Sequence, residues 1–346
     1  MNPYLAALMA TTVATGTMIV SVSSHWLLAW AALELNTMAI LPLLTQAHSP
    51  RTAEAATKYF LIQTAASTTL LFSSTTNAWF TGQWSISQLT TDPTNTMMAL
   101  ALLMKLGVAP LHAWLPEVMQ GTSTTMSMVI ATWQKIAPFL LLYTISHNTY
   151  TTMLLPIALL STTLGGWGGL NQTQIRKMMA FSSIAHLGWA IATLTFNPAL
   201  PLLALTMYFI MTTNFFSLVL TTSTKTIKDS ASSWSSSPHT TLLMLLSLLS
   251  LGGLPPLSGF MPKMLIMKEL IEVNLTFTAT AMAMTSLLSL AFYVRLAYST
   301  SLTLAPTTPT TKMEWRLAPG NHTIHTAATT TMTAMLLPLT PIIIPY

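Results

Sequence analysis

Eleven apolar stretches, each about long enough to cross a bilayer, follow one another along the chain with only short polar connections between them. They run over roughly 3–21, 25–45, 57–80, 96–120, 123–144, 149–170, 174–195, 199–222, 239–272, 275–298 and 324–344. Inside hydrocarbon every backbone N–H and C=O must find a partner within the protein, which leaves helices or a closed barrel. The short alternating strands of an outer-membrane barrel do not occur in the sequence. The pattern therefore predicts an all-α polytopic membrane protein with about eleven transmembrane helices. The charge content agrees: 6% of residues are charged, against about 25% in soluble domains. Threonine is frequent within the spans, and it suits lipid only where its hydroxyl bonds back to the helix.

The chain has no cysteine, which excludes disulfides, thiolate metal sites, cysteine-held iron–sulfur clusters and cysteine nucleophiles. Its net charge of +5 is no nucleic-acid signal, because the basic residues sit in short loops rather than along one stripe. The N-terminus lacks a basic leader and a small-residue cleavage site, so the first span is expected to be retained. The longest connections, 222–240 and 303–323, are too short and polar to form a separate domain. Arg51, Lys58, Arg176, Lys177, Lys225, Lys228, Lys312 and Arg316 all fall in even-numbered loops, and Arg295 ends the span leading into the last of these. The positive-inside rule then places the N-terminus on the basic side and the C-terminus opposite.

The fourth and ninth spans share a frame. "GVAPLHAWLPE", Gly107 to Glu117, aligns with "GLPPLSGFMPK", Gly253 to Lys263, so that Pro110 meets Pro256, Trp114 meets Phe260 and Pro116 meets Pro262. Glycine and proline interrupt a helix, so both spans are expected to be broken. The copies lie five spans apart, and an odd separation turns the second upside down. Inverted repeats with broken helices are the sequence mark of many transporters, with ion sites near the breaks. The repeat halves are expected at approximately 1–147 and 148–298, followed by a loop and C-terminal helix over 299–346. The alignment has one flaw: Lys263 falls opposite Glu117, not opposite Lys105.

Four ionisable residues sit well inside their spans: Glu34, Lys105, Lys135 and Lys263. Each costs at least about 2.5–3.5 kcal/mol at the bilayer centre, so each must be paired, hydrated or neutral. Burial favours the neutral form, and a nearby opposite charge restores the charged one. A buried Glu–Lys pair whose separation changes is thus a proton switch, and helix breaks free backbone groups that can hold water. Lys268 and Glu269 fit snorkelling at a helix end instead. His112 and His186 each fit either a proton relay or a packed, hydrogen-bonded histidine. Glu117 fits a solvated cap or a lesser member of the same set. "GGWGG", 165–169, fits close helix packing rather than a phosphate loop, since no strand precedes it. "HTIH", 322–325, is weak as a metal site, and no metal is expected.

The stretches "GLNQTQIRKMMAFSSIAHLGW" and "KLGVAPLHAWLPEVMQGT", with "ELNTMAILPLL" and "LPPLSGFMPKM", resemble the antiporter-like proton-pumping subunits of respiratory complex I. The resemblance runs the whole length. It implies two inverted five-helix bundles, each with one broken helix. It also implies that Glu34 is the half-channel glutamate, Lys105 the broken-helix lysine, Lys135 the central bridging lysine and Lys263 the second-bundle lysine, with a hydrophilic axis passing near His186. Bacterial relatives carry three further N-terminal helices, and this chain begins too late to contain them. The implied setting is the mitochondrial inner membrane, multi-pass, with the N-terminus on the matrix side. The implied partners are other membrane-arm subunits of complex I and lipid; nucleic acid is not expected and direct quinone contact is not implied. Flavin and iron–sulfur clusters are expected in other subunits and no cofactor in this chain, whose share is proton movement coupled to NADH-to-ubiquinone electron transfer. Two alternatives stand beside this reading: a self-standing cation/proton antiporter of the same family, and a scaffold whose buried charges only join helices.

Overall fold

A computed structural model of the chain describes residues 3–86, 88, 92–146, 149–236, 238–302 and 326–333. Fourteen helices are named among them: α1 (Pro3–Val22), α2 (Trp26–Leu44), α3 (Pro50–Thr81), α4 (Asp92–Leu106), α5 (Trp114–Gly121), α6 (Thr124–Ala131), α7 (Trp133–Ile145), α8 (Thr151–Leu170), α9 (Ile175–Ala192), α10 (Ala199–Thr222), α11 (Ile227–Ser236), α12 (Pro238–Gly252), α13 (Phe260–Glu272) and α14 (Thr276–Leu302). Ten of the expected spans correspond to helices or to pairs of half-helices. Of the last, 324–344, only 326–333 is described, and it is helical. The rest of that span, the connection with Lys312 and Arg316, and the 322–325 turn lie outside the described residues.

Two differences from the sequence reading have local causes. The 222–240 connection is not all loop, because it contains α11. That helix begins in a capping box: Asp229 N–H donates to Thr226 Oγ1 at 3.3 Å, and Asp229 Oδ2 accepts from the Thr226 and Lys225 amides at 2.9 and 3.2 Å. The span 123–144 is interrupted at Thr132, between α6 and α7. Pro138 then removes the N–H that would bond the carbonyl of Gln134, four residues earlier.

The weakly apolar α3 shows how a threonine-rich helix tolerates lipid. Thr64, Thr68, Thr69, Thr75 and Thr76 each donate their hydroxyl to a carbonyl three or four residues back. These hydroxyls are satisfied within one turn.

The chain forms two compact units, Met1–Leu160 and Ser161–Tyr346, whose boundary falls inside α8. In the first, α2 and α4 pack on α3, α1 on α2, α5 on α3 and α7 on α4. In the second, α12 packs on α10 and α14, α9 on α10, and α13 on α10 and α14. Within this unit the four glycines of 165–169 allow close approach on two sides. A Cβ at Gly165 or Gly168 would collide with Ala185 or Phe181 of α9, and one at Gly166 or Gly169 with Leu288 or Phe292 of α14.

The two units share one backbone feature. In each, two non-adjacent connections are tied by one isolated backbone bridge: His25 with Ser85 in the first, Gln174 with Thr226 in the second. These are the connections that a five-span shift superposes. Each tie also requires its two connections to lie at the same end of their bundle, in keeping with the alternation of charge along the sequence.

Candidate functional site

The two broken spans end their first half-helices in the same way. Gly107 follows α4 with φ +72°, and Gly253 follows α12 with φ +79°. Val108 N–H bonds to the Leu103 carbonyl and Gly107 N–H to Met104, while Leu254 bonds to Leu249 and Gly253 to Ser250. Both are Schellman closures, which need a left-handed residue that glycine alone adopts freely. Seven residues, 107–113 and 253–259, separate the half-helices in each copy.

A helix that ends inside the membrane presents free carbonyls and a partial negative charge, which favour a cation there. Lys105 lies in the last turn of α4 and is 5% exposed. Lys263 lies in the first turn of α13, the unfavourable end of its own helix, and is 7% exposed. Its side chain reaches back across the break, and Nζ donates to the Gly252 carbonyl at 2.9 Å, at the end of α12. A Cβ on Gly253 would stand 3.0 Å from that Nζ, so the glycine also makes room for the ammonium. The flaw in the sequence frame thereby resolves. The two lysines start from opposite sides of their breaks: Lys105 belongs to the last turn of α4, and Lys263 reaches back to the end of α12. Glu117, which occupies the position equivalent to Lys263, instead pairs with Lys58 at 2.7 Å, and both are about half exposed. Lys268 pairs with Glu272 at 3.7 Å on an exposed face.

In the first unit, neutral groups bond carbonyls in the last turn of α4, whereas in the second Lys263 bonds the terminal carbonyl of α12. Trp114 Nε1 donates to Met104 O at 3.3 Å, and Gln63 Nε2 donates to Lys105 O at 3.4 Å. Lys105 Nζ is buried with no hydrogen-bond partner from the protein. It lines a small cavity with Lys135, Tyr59, Gln63, Gln134 and Asn36 among others. The cavity offers about 20 Å³, enough for one water. Lys135, 2% exposed, enters it from the first turn of α7.

Glu34 stands apart from this cavity. It is half-buried on α2, whose Leu33, Asn36 and Thr37 line the cavity while Glu34 does not. Among the described residues no lysine lies within ion-pair distance of it. His112 lies in the first break, partly exposed, with Nδ1 3.2 Å from the Pro110 carbonyl, and it does not line the cavity. His186 lies on α9 of the second unit against Tyr208, ring centroids 5.1 Å apart. The Tyr208 and Tyr293 phenols face Ser183 and Ser182 of the same helix.

Sequence reasoning passed over Tyr59, Gln63, Asn36 and Gln134, which are uncharged and so carry no large insertion penalty. A usable signal was present: Tyr59 and Gln63 are four residues apart on one helix, and Gln134 adjoins Lys135.

Paired broken helices with buried lysines at their carbonyl ends define an antiporter-like membrane protein. Residues 23–289 match the family described as "NADH:quinone oxidoreductase/Mrp antiporter, TM", and residues 290–344 match "NADH dehydrogenase subunit 2 C-terminus". The chain belongs to this family. It is 51% identical over 342 residues to NADH-ubiquinone oxidoreductase chain 2 of Xenopus laevis, covering 99% of each chain. It is 50% identical over 341 residues to the same-named protein of Oncorhynchus mykiss, covering 99% of this chain and 98% of that one. Among solved structures, respiratory complex I from Thermus thermophilus contains a chain of the same fold, with TM-score 0.86 and 24% identity over 100% of this chain and 80% of that one. A chain of the Mrp complex from Dietzia sp. DQ12-45-1b matches with TM-score 0.77 and 18% identity, over 87% of this chain and 61% of that one.

Proposed function

We propose that the chain is a proton-translocating membrane-arm subunit of NADH:ubiquinone oxidoreductase, working beside other membrane-arm subunits. Relatives at about half identity along nearly the whole chain carry that enzyme's name. With no cysteine, this chain holds no thiolate-bound cluster, and its part is proton movement rather than electron transfer. Flavin and iron–sulfur clusters belong to other subunits in this reading. The membrane is the mitochondrial inner membrane, with the N-terminus and the basic loops on the matrix side.

The observation that carries the reading is the placing of Lys105 and Lys263 at the carbonyl ends of half-helices within the membrane. Each ammonium there is stabilised by the half-helix end and destabilised by burial. A modest change in the field around it therefore decides whether it keeps its proton. In this reading Glu34 supplies such a field to Lys105, and Lys135 is the next basic group in the cavity that Lys105 lines. A proton on Lys105 can pass to Lys135 when Glu34 moves away, and Lys263 serves the second repeat, with the repeats divided near 147/148. His112 and His186 are secondary relay candidates.

The test is proton transport by the assembled complex in vesicles, with Lys105→Met and, separately, Lys263→Met. Each variant is expected to assemble and to lose most NADH-driven proton uptake. Pumping at the parental rate in both would leave a scaffold whose charges only join helices. The antiporter alternative calls for more carboxylates at depth as ligands for a hard cation such as sodium, and Glu34 stands alone in that role. A chain that purifies by itself and exchanges cations for protons in vesicles would favour it.

A further inference from the structure

We propose that Tyr59 is a proton-relay residue between Lys105 and Lys135. The inference deepens the reading above and rests on it.

Tyr59 is 1% exposed in the middle of a membrane protein, where a phenol needs a partner for its hydroxyl. Oη donates to Gln134 Oε1 at 3.4 Å, a long bond. Gln134 is the neighbour of Lys135 in the first turn of α7. The Tyr59 ring is fixed edge-on by Trp114, with centroids 5.8 Å apart. Trp114 is in turn anchored to the Met104 carbonyl, next to Lys105. The phenol thus stands between two supports, one tied to each lysine. It lines the same small cavity as both, and that cavity has room for one water.

A hydroxyl both accepts and donates, so it can pass on one proton as it receives another. The step balances as follows. The Lys105 ammonium gives a proton to the water in the cavity, and a proton of that water passes to a lone pair on Tyr59 Oη. The hydroxyl proton of Tyr59 passes to the neutral amine of Lys135. Lys105 ends neutral, Lys135 ends charged, and Tyr59 and the water end as they began. Rotation of the Tyr59 O–H back to Gln134 resets the relay, so Gln134 is its resting acceptor and a positioning residue. The long Oη–Oε1 distance suits a bond that must break in each cycle.

Tyr59→Phe removes one oxygen and keeps the ring against Trp114. The assembled complex carrying it is reconstituted into vesicles beside Lys105→Met, and NADH-driven proton uptake is measured in H2O and D2O. A positioned proton donor or acceptor contributes about 100-fold or more to a transfer rate, so uptake is expected to fall at least about tenfold. The solvent isotope effect on coupled turnover is expected to change, which loss of packing alone would not cause. Parental uptake by Tyr59→Phe alongside failure of Lys105→Met overturns the relay and spares the reading of the site. Parental uptake by both overturns both. If Tyr59→Phe does not assemble, Gln134→Met decides: slowed uptake with an altered isotope effect supports the relay, and parental values overturn it.

Discussion

The two helix breaks close with the same turn but satisfy the carbonyls behind it differently. At the first, an indole and a carboxamide bond the α4 terminus, and the Lys105 ammonium is left to a small polar cavity. At the second, the Lys263 ammonium itself bonds the α12 terminus. A buried cation with neutral company around it is free to exchange its proton with a neighbour. One that also serves as a helix cap gives up a structural bond when it becomes neutral and turns away. On the proposed reading, the same backbone device yields a mobile proton station in one unit and a latched one in the other.

The largest expected break in this comparison comes from glycine. Gly253→Ala forces a left-handed alanine, costing about 1–2 kcal/mol. It also pushes against Lys263 Nζ, threatening a bond to a charged group worth about 1.5–3 kcal/mol. Gly107→Ala incurs the same strain but meets no charged group, only the Trp114 ring at 3.2 Å and Leu115 Cβ at 3.5 Å. Thermal denaturation of the assembled complex should rank Gly253→Ala well below Gly107→Ala, and equal losses would remove the asymmetry. Next come the lysines. Lys263→Met leaves the Gly252 carbonyl without its donor and should destabilise by about 1–3 kcal/mol. Lys105→Met removes a buried amine that bonds nothing in the protein, so stability should hold or rise. Both assays read heat resistance, independently of pumping. Trp114→Phe is a smaller change. It removes the indole bond to Met104 and should cost about 1 kcal/mol, with the first break exchanging its amides faster and the second unaltered.

The smallest effect concerns α11, which follows α10 in the second unit. The backbone N–H of Thr226 holds the Asp229 carboxyl below the usual carboxylate range. A depressed acid stabilises its helix above the unfolded value, near pH 4, and that contribution fades as pH falls through the lower folded value. Amide protection of 227–236 should therefore be level from neutral pH down to about 4 and decline below it. Asp229→Asn should flatten that decline at a cost of about 0.5 kcal/mol at neutral pH.

Much of the fold was legible because the bilayer leaves so few choices. Span length, the Gly–Pro interruptions and the four buried charges all follow from the cost of unpaired polar groups in hydrocarbon. The reach of Lys263 was not legible. An alignment compares Cα positions, whereas a lysine side chain is long enough to cross a break and bring its charge to the other half-helix. Tyr59 and Gln134 were passed over because neutral polar side chains blend with the serine and threonine background. The helix α11 was hidden by a serine-rich segment whose cap, Thr226 with Asp229, is a pattern short enough to miss.

A density map of the assembled complex, fine enough to show ordered water, tests the central claim most directly. The account predicts Lys263 Nζ at bonding distance from the Gly252 carbonyl, and Lys105 Nζ beside a water shared with Tyr59. Lysine side chains extended toward either membrane surface, with dry apolar packing behind both breaks, would contradict it.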